Sequence, residues 1–108
     1  MKVFVVLCTI PPDKAEALAK SLVENHLAAC VNIIPSVESF YRWEGNLCED
    51  TEALLVIKTT EEAFPALLEF TKANHPYSVP EIIALSVSEG NPDYLGWVER
   101  SVRGQTQG

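Results

Sequence analysis

Cys8 and His75 carry the side chains of this chain best suited to holding a metal ion. A thiolate and an imidazole are soft to borderline donors that suit copper or zinc. His75 opens the segment His75-Pro76-Tyr77-Ser78-Val79-Pro80-Glu81, which gathers an imidazole, a phenol and a carboxylate within seven residues. Pro76 and Pro80 lock their own φ and press His75 and Val79 toward extended geometry, so these groups sit on a stiff piece of backbone. Two donors do not complete a structural zinc site, and the sequence offers no obvious third. Each also has a plain structural reading. Cys8 lies among apolar residues as a core thiol does, and a loop histidine commonly bonds to backbone.

A second dense patch is Phe40-Tyr41-Arg42-Trp43-Glu44, which runs straight into Gly45. In a strand, Tyr41 and Trp43 share one face while Arg42 and Glu44 take the other. Together with Lys58, Tyr77 and Glu81, Trp43 and Glu44 are candidates for a small charged cleft at a subunit boundary, where ligand sites often lie. Signals of catalysis are missing. There is no Gly-rich phosphate loop, no G-x-S-x-G and no H-E-x-x-H. Ser78 lies near His75 in sequence, which does not make a nucleophile and base. No enzymatic activity is expected. His26 falls at the end of a helix, in a dipole or capping role.

The elements that position these residues follow from periodicity. Residues 3–9 read as a strand, apolar on both faces. Ala15, Leu18, Ala19, Leu22 and Val23 then recur at helical spacing, with Pro12 and Asp13 in the first turn. A strand over 28–34 meets Pro35, which predicts a bulge or bend. Two long extended runs, 37–44 and 47–58, flank Gly45-Asn46, read as a two-residue hairpin turn, so the hairpin is expected to project from the body. Thr60 is the expected N-cap of a second helix carrying Phe64, Leu67, Leu68 and Thr71. A strand at 82–87 follows the rigid loop. Asn91 caps a last helix, with Pro92 in its first position and Arg100, Arg103 and Gly104 at its end.

This order, β-α-β, hairpin, β-α-β and a terminal helix, is the split βαβ, ferredoxin-like plan of an α+β protein. Two helices cover one face of a four-stranded sheet. Yet Val3, Val5 and Leu7 as well as Phe4, Val6 and Cys8 are apolar, so the second face must also be hidden, by the terminal helix and by packing in a homo-oligomer.

At 108 residues and 47% hydrophobic content the chain is expected to form a single domain over 1–104, with a frayed tail at 105–108. The net charge of −7, without a basic stripe, argues against nucleic acid or an anionic membrane as partner. Cys8, Cys30 and Cys48 make neither a disulfide framework nor a C-x-x-C pair, which favours a cytoplasmic location. No segment is long enough to span a bilayer, and the start lacks a cleavage signal.

The strings VVLCTIPPDKAEALAKSLVENHLAACVNIIP, SFYRWEGNLCEDTEALLVIKTT, KANHPYSVPEIIALSV and DYLGWV resemble the CutA divalent-cation tolerance proteins, in order and over nearly the whole chain. The resemblance implies a ferredoxin-like subunit in a tight homotrimer, similar in architecture to the PII signalling proteins. It also implies copper binding by the first-strand cysteine, here Cys8, and by a pair of histidines before Pro-Tyr. Here that pair is Asn74-His75, so one imidazole is replaced by a poor copper ligand. The family's intersubunit cleft matches Trp43, Lys58, Tyr77 and Glu81. The expected function is a cytoplasmic homotrimer of divalent-metal tolerance that binds copper or another divalent cation weakly and needs no obligatory cofactor. The alternative is a PII-like signalling or scaffold trimer that binds a small anionic metabolite in its clefts, with Lys58 as the attraction point.

Overall fold

Described over residues 2–103, the computed structural model runs β1 (Val3–Ile10), α1 (Pro12–Glu24), β2 (Cys30–Trp43), β3 (Asn46–Thr60), α2 (Phe64–Ala73), β4 (Ile82–Ser86) and α3 (Pro92–Val102). The strands form one sheet in the order β2-β3-β1-β4, and every neighbouring pair is antiparallel. This is the ferredoxin-like α+β arrangement with a long hairpin and an added C-terminal helix. Gly104 and the expected tail at 105–108 lie outside the described residues.

Alternation along the strands sorts side chains between two layers. Val6, Cys8 and Ile10 of β1 join Ala53, Leu55 and Ile57 of β3 in a core with Ala15, Leu18 and Leu22 of α1 and Leu67 of α2. Phe4 extends this layer, its ring edge-on to Phe64 of α2 at 6.0 Å. Each large side chain buried there contributes about 1.5–3 kcal/mol. The opposite face is covered at one end only. Val98 of α3 packs there with Val3 and Ala29, flanked by Leu95, Trp97 and Val102. Beyond α3 the face stays apolar and open, with Ile34 43%, Ile83 50% and Leu85 53% exposed.

The hairpin reaches past the body as expected. Pairing of β3 with β1 ends at Ala53↔Ile10, so residues 46–52 are paired with β2 alone. The molecule measures 49 × 26 × 23 Å. Pro35 marks a register shift between Ile34 and Val37, the bulge its missing N–H demands. The strand continues through it, so the two extended runs 28–34 and 37–44 form a single β2.

Strand ends shift by a residue or two, the hairpin turn and the start of α2 differ from expectation, and His26 ends the first helix as expected. The turn is Glu44-Gly45, one residue earlier than the Gly45-Asn46 reading, because Asn46 pairs with Trp43. Glu44 has φ 51 and Gly45 φ 83, the two positive values a type I′ turn requires. α2 begins at Phe64 with Pro65 in its first turn, and Ala63 rather than Thr60 is its N-cap. Thr60 Oγ1 instead accepts from the Ala63 N–H at 3.2 Å and ties the turn over 61–63. His26 closes α1 through its backbone. It has φ 58, its N–H donates to Val23 O, and the Leu27 N–H donates to Leu22 O. That is a Schellman motif with histidine in the place usually given to glycine. The His26 ring reaches away, with Nδ1 3.2 Å from Ser101 O at the end of α3.

Candidate functional site

The C-terminal end of β1 and the loop before β4 bring the two predicted metal donors to one point. Cys8 Sγ donates weakly to Thr9 O at 3.7 Å, and His75 Nε2 donates to the same oxygen at 2.8 Å. The imidazole is used on both sides. The Tyr77 N–H donates to His75 Nδ1 at 3.1 Å, which fixes the tautomer with its proton on Nε2. The backbone bends over 76–79, rather than running extended as the two prolines predict, and the His75 ring lies against Tyr77 with ring centroids 4.8 Å apart.

Cys8 is fully buried on the helix side of the sheet. Burial pushes its thiol up to about 12, and the charges of Glu81 and Glu52 push in the same direction. It therefore stays a thiol at neutral pH. Asn74 does not point to a metal role: its Nδ2 donates to Phe70 O at 2.8 Å and closes the last turn of α2. Among the described residues no group of three or more His, Cys, Asp and Glu side chains is placed to hold a metal ion.

A larger feature lies between the hairpin and the rigid loop. A groove of about 710 Å³ is lined by Thr9, Glu38, Ser39, Phe40, Tyr41, Trp43, Glu52, Tyr77, Ser78, Val79 and Glu81. The projecting hairpin supplies Tyr41 and Trp43 to this lining, and the loop before β4 supplies Tyr77 and Glu81. Tyr77 Oη crosses the groove to donate to Glu52 Oε2 at 2.9 Å. Tyr41 Oη donates to Asp50 Oδ2. Thr51 Oγ1 donates to Glu38 Oε2 at 3.1 Å.

The phenols register the negative surroundings. The hydrogen bond to Asp50 raises Tyr41 to about 12. Burial raises Tyr77, followed by its bond to Glu52 and the charges of Glu52 and Asp50.

Trp43, Tyr77 and Glu81 thus meet in one groove, whereas Glu44 and Lys58 do not line it. Glu44 is exposed in the turn. Lys58 stands on the open sheet face opposite Cys30 and Val5, where its Nζ donates to Asn32 Oδ1. Sequence reasoning did not single out Glu38 and Glu52. Glu52 is only 6% exposed. Strand alternation held the clue, because Glu52 has the same parity as the apolar Leu54 and Val56.

Fold and site together define a class: a ferredoxin-like subunit with an open sheet face and a cleft beneath a projecting hairpin. The chain belongs to the CutA1 divalent ion tolerance protein family, which it matches over residues 4–101. It is 55% identical over 98 residues to the divalent-cation tolerance protein CutA of Thermus thermophilus, covering 90% of this chain and 95% of that one. It is 50% identical over 93 residues to protein CutA of Mus musculus, covering 85% of this chain but 52% of the mouse protein. The chain therefore spans nearly all of the bacterial relative and about half of the mouse one. The solved structure of a Thermus thermophilus divalent cation tolerance protein superposes with a TM-score of 0.90 at 54% identity, over 92% of this chain and 97% of that one. A structure described as the PII-like protein CutA from a Nostoc species in apo form gives a TM-score of 0.87 at 32% identity, over 94% and 97%.

Proposed function

We propose that this chain acts in divalent-cation tolerance as a cytoplasmic homotrimer that binds copper or a related ion weakly and catalyses no reaction. The observation that carries the metal reading is the meeting of Cys8 and His75 at Thr9 O. The same geometry explains why binding is weak. A metal must take a proton from a buried thiol raised to about 12 and replace the Nε2–H bond from His75 to Thr9 O, which moves the ring proton to Nδ1 and costs the bond from the Tyr77 N–H. Asn74, engaged with Phe70 O, offers no replacement for a second imidazole. The trimer reading rests on the apolar face left open by α3, because an exposed patch of this kind is normally covered.

Calorimetric titration with Cu(I) and Cu(II) tests the metal reading. Weak binding that strengthens as pH rises is expected, with a loss of about tenfold or more in Cys8→Ser/His75→Ala, in line with the affinity lost when metal-site partners are removed. Unchanged affinity in that variant would move the metal elsewhere. A second reading, a PII-like trimer with an anionic metabolite between subunits, draws on Lys58. Its ammonium group stands on the open face beside Asn32, where a neighbouring subunit would bring it to a boundary.

A further inference from the structure

We propose that the groove under the hairpin receives an organic cation, an aliphatic di- or polyamine. Its ammonium groups meet Glu38, Glu52 and Glu81, and its methylene chain lies along Tyr41, Trp43 and Tyr77. The proposal is independent of the metal reading above, because neither Cys8 nor His75 lines this groove. The ligand class comes from the walls.

Three carboxylates line the groove and no Lys, Arg or His does. Among the described residues none of the three is ion-paired, and the donors that reach two of them are neutral hydroxyls, Thr51 for Glu38 and Tyr77 for Glu52. Glu52 is the most telling. A carboxyl group this deeply buried, with one phenol as its donor, is a place where a cation is worth most. The groove also excludes two other ligand classes. An anion would meet three carboxylates and no cationic side chain. A bare divalent ion needs six or so oxygens gathered around one point, and the described acidic residues form no such cluster. Carboxylates set apart along an aromatic wall fit charges set apart along a chain instead. Indole and phenol faces attract ammonium groups and shield methylenes from water. The volume, about 710 Å³, is that of a small-molecule site. Hydroxyls of Thr9, Ser39 and Ser78 add acceptors for further N–H groups.

Calorimetry on the full chain at about 0.15 M salt, where diffuse attraction is screened, tests this with spermidine, magnesium and citrate as probes. Saturable spermidine binding is expected, at least about tenfold tighter than magnesium, with no citrate binding. Trp43→Ala and Glu81→Gln should each weaken spermidine by about tenfold, while Glu69→Gln on the exposed side of α2 should not. Light scattering shows whether Trp43→Ala alters assembly; if it does, the isosteric Glu81→Gln decides. Equal losses in Glu81→Gln and Glu69→Gln would mean diffuse attraction to an acidic chain and would overturn the proposal. Citrate binding that Trp43→Ala abolishes would overturn the cation while keeping the groove as a ligand site. Binding of neither probe, as when a neighbouring subunit fills the groove, would end both.

Discussion

Cys8 and His75 show how one residue can read as a ligand and be held as something else. Both sit where a metal could be gathered, yet one is a buried thiol and the other a doubly hydrogen-bonded imidazole. The thiol has a consequence for stability. In the unfolded chain it ionises near its ordinary value of 9.0, and in the folded chain only near 12. The contribution is therefore fully present below pH 9 and is lost as pH rises from 9 to 12, because the unfolded state releases its proton first. The loss per group is up to about 1.4 kcal/mol for each pH unit. Tyr77, raised mainly by burial, acts in the same direction above its ordinary value. Denaturant melts between about pH 8 and 12 should show this fall, and Cys8→Ala, though less stable at neutral pH, should show a shallower one. A flat profile would mean that the thiol is accessible to water. The types and spacing of Cys8, His75, Trp43, Tyr77 and Glu81 were legible in the sequence. Their hydrogen-bond states were not, because Thr9 O and the Tyr77 N–H are backbone groups that no side-chain pattern announces.

The elements were more legible than their ends. Apolar patterns located the strands, with β2 read as two runs, and the first two helices, and Asn91 with Pro92 marked the start of α3, where the Asn91 side chain accepts from the Asp93 N–H at 3.0 Å. The exceptions are places where a less favoured residue holds a special conformation. Glu44 takes the left-handed region that the Gly-Asn reading assigned one step later, since strand pairing on both sides sets the register. His26 does the same at the end of α1. Glu44→Asn should therefore stabilise the protein by about 0.5 kcal/mol, a fraction of the left-handed penalty carried by a long side chain. Chemical denaturation measures this directly. Because Glu44 stands outside the groove, spermidine and copper titrations should be unchanged. A loss of stability, or of ligand, would show that the Glu44 side chain does something the turn geometry does not require.

The whole molecule, on the proposed reading, is incomplete as a single subunit. Apolar residues on both sides of the first strand pointed to a second buried face, and the structure leaves that face bare beyond α3. What the sequence could not convey is how little α3 covers, because that depends on where the helix lands on the sheet. The proposed trimer covers the remainder by packing sheets and hairpins of three copies, and it makes a boundary of the region around Lys58 and the groove. A charge placed on the bare face should therefore break the assembly. Light scattering at micromolar concentration, on the parent chain and on Ile83→Glu/Leu85→Lys, tests this most directly. The expected parent mass is three times that of the 11.9 kDa chain, with the variant shifted to smaller species. A folded parent running as a single 11.9 kDa chain would contradict the trimer.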